Sequence, residues 1–254
     1  MSLLKNAARL GAPCILSAII WAGTAKAGII SYDASTGLLP HDTGWAVTAT
    51  GSSGSVAVGG GVLSVSAGIG NRRNWTLNPV PGVPGDAGLF MESTVRVVSE
   101  SHTAADRGIS ILGTGHADGV NAAVFDLYAW TDRIFLQDVF DQTIATYHLD
   151  TTAGFRKYRL EALLGKYWVF VDDQLVLSGT AATVPYPQNI IAGGFGVGGN
   201  ASGGSAEWKS VRLGSLAEIG GPTVPEPGSL LLLSSGTLGL WVLRRSRSGR
   251  NLSA

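Results

Sequence analysis

The chain has 254 residues, 18 basic and 18 acidic side chains, 36 glycines and one cysteine. At 45% hydrophobic and 14% charged it is neither a disordered chain nor one built for nucleic acid, and a net charge of zero gives no field to steer a polyanion onto it. The glycines follow no three-residue period, which excludes collagen and points to a turn-rich β protein.

Taken in chain order, the first feature is a leader. Lys5 and Arg9 precede an uncharged run from Leu10 to Ala22, and Ala25 and Ala27 stand three and one residues before a cut ahead of Gly28. A basic start, an apolar stretch and small residues predict a secretory signal helix over residues 1–27, handled by the Sec machinery and signal peptidase. The apolar run is shorter than the ~20 residues a membrane span needs, and Pro13 would disturb a long helix there. Cys14 follows Gly11-Ala12-Pro13, without the leucine-led context of a lipoprotein. The mature protein then has no cysteine, which removes disulfides, thiolate metal sites and cysteine nucleophiles together.

Residues 28–213 carry almost no helical periodicity. Short β-rich runs recur between Gly, Asn, Asp and Pro: 56–58, 62–65, 89–98, 108–112, 122–128, 133–138, 143–149, 158–162, 167–171, 174–178, 190–197 and 206–213. A dozen strands at this spacing predict an all-β sandwich or barrel. Nothing between them is long enough for the crossover helices of a parallel α/β sheet. In the stretch from Phe155 to Gly179, Tyr158, Leu160 and Ala162 share one face at period two. A turn at Leu164-Gly165-Lys166, an apolar strand from Tyr167 to Val171, a second turn at Asp172-Asp173 and a third strand follow. This meander resembles the Tyr-Arg-Leu … Val-Tyr-Val-Asp-Gly hairpin of concanavalin A-like lectin/glucanase domains. Asp173 stands where that pattern has glycine. Residues 193–198 and 206–213 are similar to the last strand pair of the same fold. The resemblance implies an antiparallel jelly-roll β-sandwich.

The chemistry of such a domain starts from its carboxylates. Glycosidases of this fold place Glu-x-Asp-x-x-Glu on one strand, so that alternation aims the carboxyls into one cleft. Glu92, Glu100, Glu161 and Glu207 all lack an acidic partner two residues on. The chain therefore reads as non-catalytic, and a lyase would have to rest on scattered polar residues such as Arg133, Gln137 and His148. Residues 194–199 match G-x-G-x-x-G, but a loop follows where a dinucleotide site needs a helix N-terminus. Trp75, Tyr128 and Trp130 are the candidate platforms for sugar rings, with Trp130 beside Thr131-Asp132 at a strand end; Trp168 reads as core. Lectins of the resembled fold often hold calcium through loop oxygens. Asp118, Asn121, Asp126 and Asp132 are hard donors for such an ion, although Asp118–Asn121 also reads as a plain turn. Otherwise no cofactor is expected.

Beyond a linker at 214–223, Val224-Pro225-Glu226-Pro227 leads into an uncharged stretch over 228–243, then Arg244, Arg245 and Arg247. As a helix this stretch is ~24 Å long, short of a ~30 Å hydrocarbon core, and its arginines should stop transfer on the cytoplasmic side. The three parts in this order resemble a PEP-CTERM sorting tail of Gram-negative bacteria. That resemblance implies an inner-membrane precursor processed near Pro225-Glu226-Pro227 by an exosortase-type membrane protease, and then a cell-surface or extracellular-matrix location. The function expected is non-catalytic binding of an extracellular polysaccharide, with no nucleic-acid partner. Two alternatives are a structural exopolysaccharide-matrix protein and a jelly-roll lyase or glycosidase. The zero net charge divides accordingly: +3 in residues 1–27, +3 from Val224 onward and −6 between.

Overall fold

The structure is a computed structural model that describes residues 28–78, 85–103 and 108–220. The leader with Ala25 and Ala27, and the tail with Val224, Pro225, Glu226, Pro227, Arg244, Arg245 and Arg247, lie outside the described residues.

The strands are β1 (Ile30–Asp33), β2 (Ala46–Thr50), β3 (Gly54–Gly59), β4 (Val62–Ala67), β5 (Arg72–Leu77), β6 (Leu89–His102), β7 (Ile109–Asp118) and β8 (Asn121–Ala129). They continue as β9 (Arg133–Gln137), β10 (Thr143–His148), β11 (Arg156–Leu163), β12 (Lys166–Val171), β13 (Gln174–Thr180), β14 (Val184–Pro185), β15 (Asn189–Gly198) and β16 (Ser202–Ser215). Every strand run expected from the sequence coincides with one of these. β1, β2, β5 and the two-residue β14 were not legible: β5 opens Arg72-Arg73-Asn74, which hides its alternation.

A back sheet runs β13-β12-β11-β6-β16-β4-β3, with β1 also on β16, and a front sheet runs β10-β9-β8-β7-β15-β5-β2, with β14 on β8. The chain crosses repeatedly between them, so β4 faces β5, β6 faces β7, β10 faces β13 and β15 faces β16. This nesting of two antiparallel sheets is a jelly-roll β-sandwich, as the hairpin pattern implied. Between the sheets, Phe195 packs among Trp45, Trp75 and Trp208 with ring centroids 5.3–5.5 Å away, and Tyr32 lies 6.3 Å off.

One boundary shifts. β16 runs on to Ser215, Leu216 is buried, and the Ser215 N–H donates to Glu218 Oε2 at 3.0 Å across a closing turn. Residues 214–219 are thus packed domain rather than the start of a linker. Trp168 also departs from expectation. β12 turns Tyr167, Val169 and Val171 inward, leaving Trp168 half-buried on the outer face of the back sheet.

That outer face is filled by ions. Glu92 accepts from Arg212 at 2.6 and 3.1 Å, and Arg159 Nε lies 3.0 Å from the fully buried Glu161. The facing guanidinium groups offset the charge of these buried carboxylates, while Glu92 Oε2 and Arg159 Nε are left without a hydrogen-bond partner.

Candidate functional site: a trough on the front sheet

Strand alternation builds the site on the opposite side. Along β8, Ala123, Phe125, Leu127 and Ala129 enter the core, which turns Val124, Asp126 and Tyr128 outward. On β5, Trp75 points inward and Asn74 and Thr76 outward; on β15, Phe195 and Val197 point inward and Gly194 and Gly196 outward. Pairing of β5 with β15, β15 with β7 and β7 with β8 sets these outward positions side by side. The result is an open trough of about 640 Å³ floored by Gly113, Gly115 and Gly194 and bordered by Asn74, Asp126 and Tyr128.

Glycine keeps the floor low. A Cβ on Gly113 would stand 2.5 Å from Asp126 Oδ1, and one on Gly194 would stand 2.8 Å from the Trp75 carbonyl oxygen. Gly115 is different, since a Cβ there would meet Val124 Cγ2 at 3.7 Å, an ordinary contact. Asn74 Oδ1 is buried at the trough without a protein hydrogen-bond donor. An unmet acceptor of this kind costs about 1–3 kcal/mol.

An aromatic wall continues from the trough. Tyr128 lies cross-strand from Phe135 with centroids 5.5 Å apart, and Trp130 meets Phe135 edge-on at 5.5 Å.

The structure unites some of the predicted residues and separates others. Tyr128 and Asp126, proposed for different ligands, border the same trough. Trp75 is 1% exposed and belongs to the core, so it presents no ring face to a sugar. Trp130 is covered on both faces: His102 stacks on it at 4.0 Å and 7°, which leaves the other face for the Arg133 guanidinium at 4.4 Å. His102 is held in turn by Glu100 at 2.8 Å, and Arg133 by Asp132 at 2.9 Å. Of the residues weighed for lyase chemistry, Gln137 is fully buried and only Arg133 and His148 pair across strands.

The four calcium donors do not converge. Asp118 and Asn121 sit at one end of β8, Asp126 lies midway and Asp132 follows the other end, across a strand of about 26 Å. One ion needs all its oxygens within about 2.6 Å. Asp118 Oδ1 is already used, accepting from the Val120 and Asn121 N–H groups at 2.8 and 2.7 Å. Those bonds hold its carboxyl below the ordinary range. The turn reading of Asp118–Asn121 is the correct one, and the set does not fit calcium. Among the described residues no group of three or more His, Cys, Asp or Glu side chains is arranged for a metal.

Sequence reasoning missed Asn74, Thr76, Asp141 and the glycine floor. The signal was present as glycines at period two, 113 and 115, and 194, 196 and 198, which mark strands carrying no side chain on one face.

The chain is thus a jelly-roll β-sandwich with a trough on one sheet. Residues 223–247 match the PEP-CTERM protein-sorting motif, which indicates an exported, membrane-anchored precursor handled by an exosortase. No curated protein matches the chain. Among solved structures it is similar to an apo Crh5 transglycosylase (14% identity, 74% of this chain and 85% of that one, TM-score 0.48). It is also similar to the carbohydrate-binding module CBM66 from Bacillus subtilis (14%, 66% and 94%, TM-score 0.39) and to a Bacillus licheniformis β-glucanase (13%, 66% and 91%, TM-score 0.39). At these identities and scores none of the three transfers an activity. No helix among the described residues is long and apolar enough to cross a membrane.

Proposed function

We propose that the protein is exported, retained at the inner membrane by its C-terminal tail, and then placed at the cell surface or in the extracellular matrix, where it binds a glycan chain without cleaving it. The observation that carries the binding reading is the trough: an open, glycine-floored channel with an aromatic border at Tyr128 and polar side chains at Asn74 and Thr76. Sugar rings present apolar faces to aromatic rings and hydroxyls to polar groups, and a low floor lets a flat polymer lie across the strands. Asp126, Asp141 and Arg72 leave the lining without a strong excess of either charge, which favours a neutral polysaccharide.

The test is binding of the protein to a panel of neutral and acidic polysaccharides. Tyr128→Ala removes the ring, and Gly115→Leu fills the floor at the position where a Cβ makes only an ordinary contact. Each is expected to weaken binding about tenfold or more, equivalent to about 1.4 kcal/mol, with the folded far-UV spectrum retained. Unchanged binding in both variants would place the ligand elsewhere.

One observation supports a second reading. Asp126 and Asp141 both line the trough, and glycoside hydrolysis uses a pair of carboxyl groups. Release of reducing ends by the wild type, abolished in Asp126→Asn, would replace binding with turnover.

A further inference from the structure

An edge strand exposes a row of unpaired backbone N–H and C=O groups, and soluble proteins blunt such edges with charges, prolines or bulges. Among the described residues, the main sheet paths end at β13 and β3 in the back sheet and at β10 and β2 in the front sheet, with the short β1 and β14 lying off these paths. Two of them are blunted along their length and a third is capped at one end. β10 and β13 each carry one extra residue against their neighbour, Ile144 and Val176, which breaks the register. β2 has Arg73 folded against its end, donating to the Thr50 and Gly51 carbonyls at 3.1 and 3.4 Å.

β3 has none of these devices. Gly54-Ser55-Val56-Ala57-Val58-Gly59 contains no charge and no proline, and pairs with β4 in unbroken register from Gly54↔Ala67 to Gly59↔Val62. Its neighbour β4 is also uncharged, and both lie inside a run from Thr43 to Asn71 without one ionisable side chain. Elsewhere residues 28–223 carry a net charge of −6, so two copies repel each other least along this rim.

We propose that the protein self-associates through β3, two copies pairing antiparallel about a two-fold axis at Ala57 so that their back sheets become continuous. The occupant is a second copy because the strand is complementary to itself. In that register Ala57 meets Ala57, Val56 meets Val58 on the core side, and Ser55 meets Gly59 on the outer side. No like charges are opposed, and an isologous contact requires this self-match. Val56 and Val58 are half-buried and Ser55 and Ala57 exposed, so pairing completes burial of the first pair and encloses only small side chains from the second. The contact lies at the edge of the back sheet, apart from the trough, and does not depend on the glycan reading.

The experiment uses the full chain in mild detergent with Cys14→Ser as background. Opposed residues of an antiparallel pair have Cα atoms about 4.5–5.5 Å apart, within disulfide reach. Ala57→Cys is therefore expected to give a reducible covalent dimer, whereas Ser64→Cys on β4, one strand in from the edge, is not. Ala57→Lys sets two ammonium groups against each other at the axis and is expected to weaken dimerisation about tenfold or more in sedimentation velocity. A monomer at all concentrations overturns the proposal. So does a dimer that neither cross-links through Ala57→Cys nor responds to Ala57→Lys, because its interface is then elsewhere. Should the lysine variant fail to fold, the cysteine pair decides alone.

Discussion

His116 is the residue whose chemistry is most altered by the fold. It is 2% exposed on β7, stacks on Phe125, and its Nε2 accepts the Leu164 N–H at 2.8 Å, tying the front sheet to the turn between β11 and β12. Accepting that bond requires the neutral ring. Burial lowers its pKa from 6.5 to about 4, against a smaller opposing pull from Asp118. Between these values the unfolded chain holds a proton that the folded chain refuses. The stability this histidine contributes is therefore complete above pH 6.5 and falls as the pH drops toward 4, by up to about 3 kcal/mol. Urea midpoints measured at pH 7 and at pH 4.5 should separate clearly in the wild type. The gap should narrow in His116→Gln, whose amide oxygen can still accept from Leu164. An equal acid loss in both proteins would assign the effect to other groups. In sequence, His116 shows only as a neighbour of Asp118, because the residue it bonds lies 48 positions away.

At the scale of elements, the turn from β12 to β13 shows how a hairpin departs from its usual residues and remains formed. The resembled pattern has glycine at the second turn position, whereas here Asp172 and Asp173 both adopt the left-handed region, at φ +50° and +66°. Side-chain partners hold them. Arg156 donates to Asp172 at 2.9 Å, the Lys157 N–H donates to Asp172 at 3.0 Å, and Lys157 Nζ pairs with Asp173. Left-handed backbone costs a non-glycine residue about 1–2 kcal/mol, and exposed ion pairs return about 0–1 kcal/mol. Asp173→Gly is thus expected to leave the denaturation midpoint almost unchanged, as relief of strain offsets the lost pair. Asp173→Ala loses the pair and keeps the strain, and should unfold at about 1 kcal/mol lower stability. If the alanine variant proves as stable as the glycine variant, strain is not stored at this turn. The existence of this hairpin was legible from the apolar run Tyr167–Val171 and the Asp172-Asp173 turn, since both are local features. β5 was not, because Arg72, Arg73 and Asn74 mask an alternation that becomes visible only when Trp75 is seen packed against Phe195.

For the whole molecule, the distribution of charge separates transport from work. Both ends are basic and the domain between them is acidic. If the tail is processed near Pro225-Glu226-Pro227, protein released from the cell surface should have an intact mass lacking Leu230–Leu243. Recovery of released protein with the complete tail would exclude processing. A dimer joined at β3 would carry two troughs on one continuous body, and two sites bound to one polymer raise apparent affinity without any new contact.

The sequence by itself determined the β architecture, the sorting motif and the acidic middle, because each is written in neighbouring residues: alternation at period two, a short ordered motif, a tally of charge. Only the tertiary structure decided what faces what. It brought β5, β7, β8 and β15 together as one trough from positions more than a hundred residues apart. It buried Trp75, covered Trp130 with His102 and Arg133, and pulled Asp118 away from Asp132. The physical reason is that strand order in a jelly roll follows from repeated crossings between two sheets. A side chain's environment is then set by strands remote in sequence, about which its local pattern carries no information.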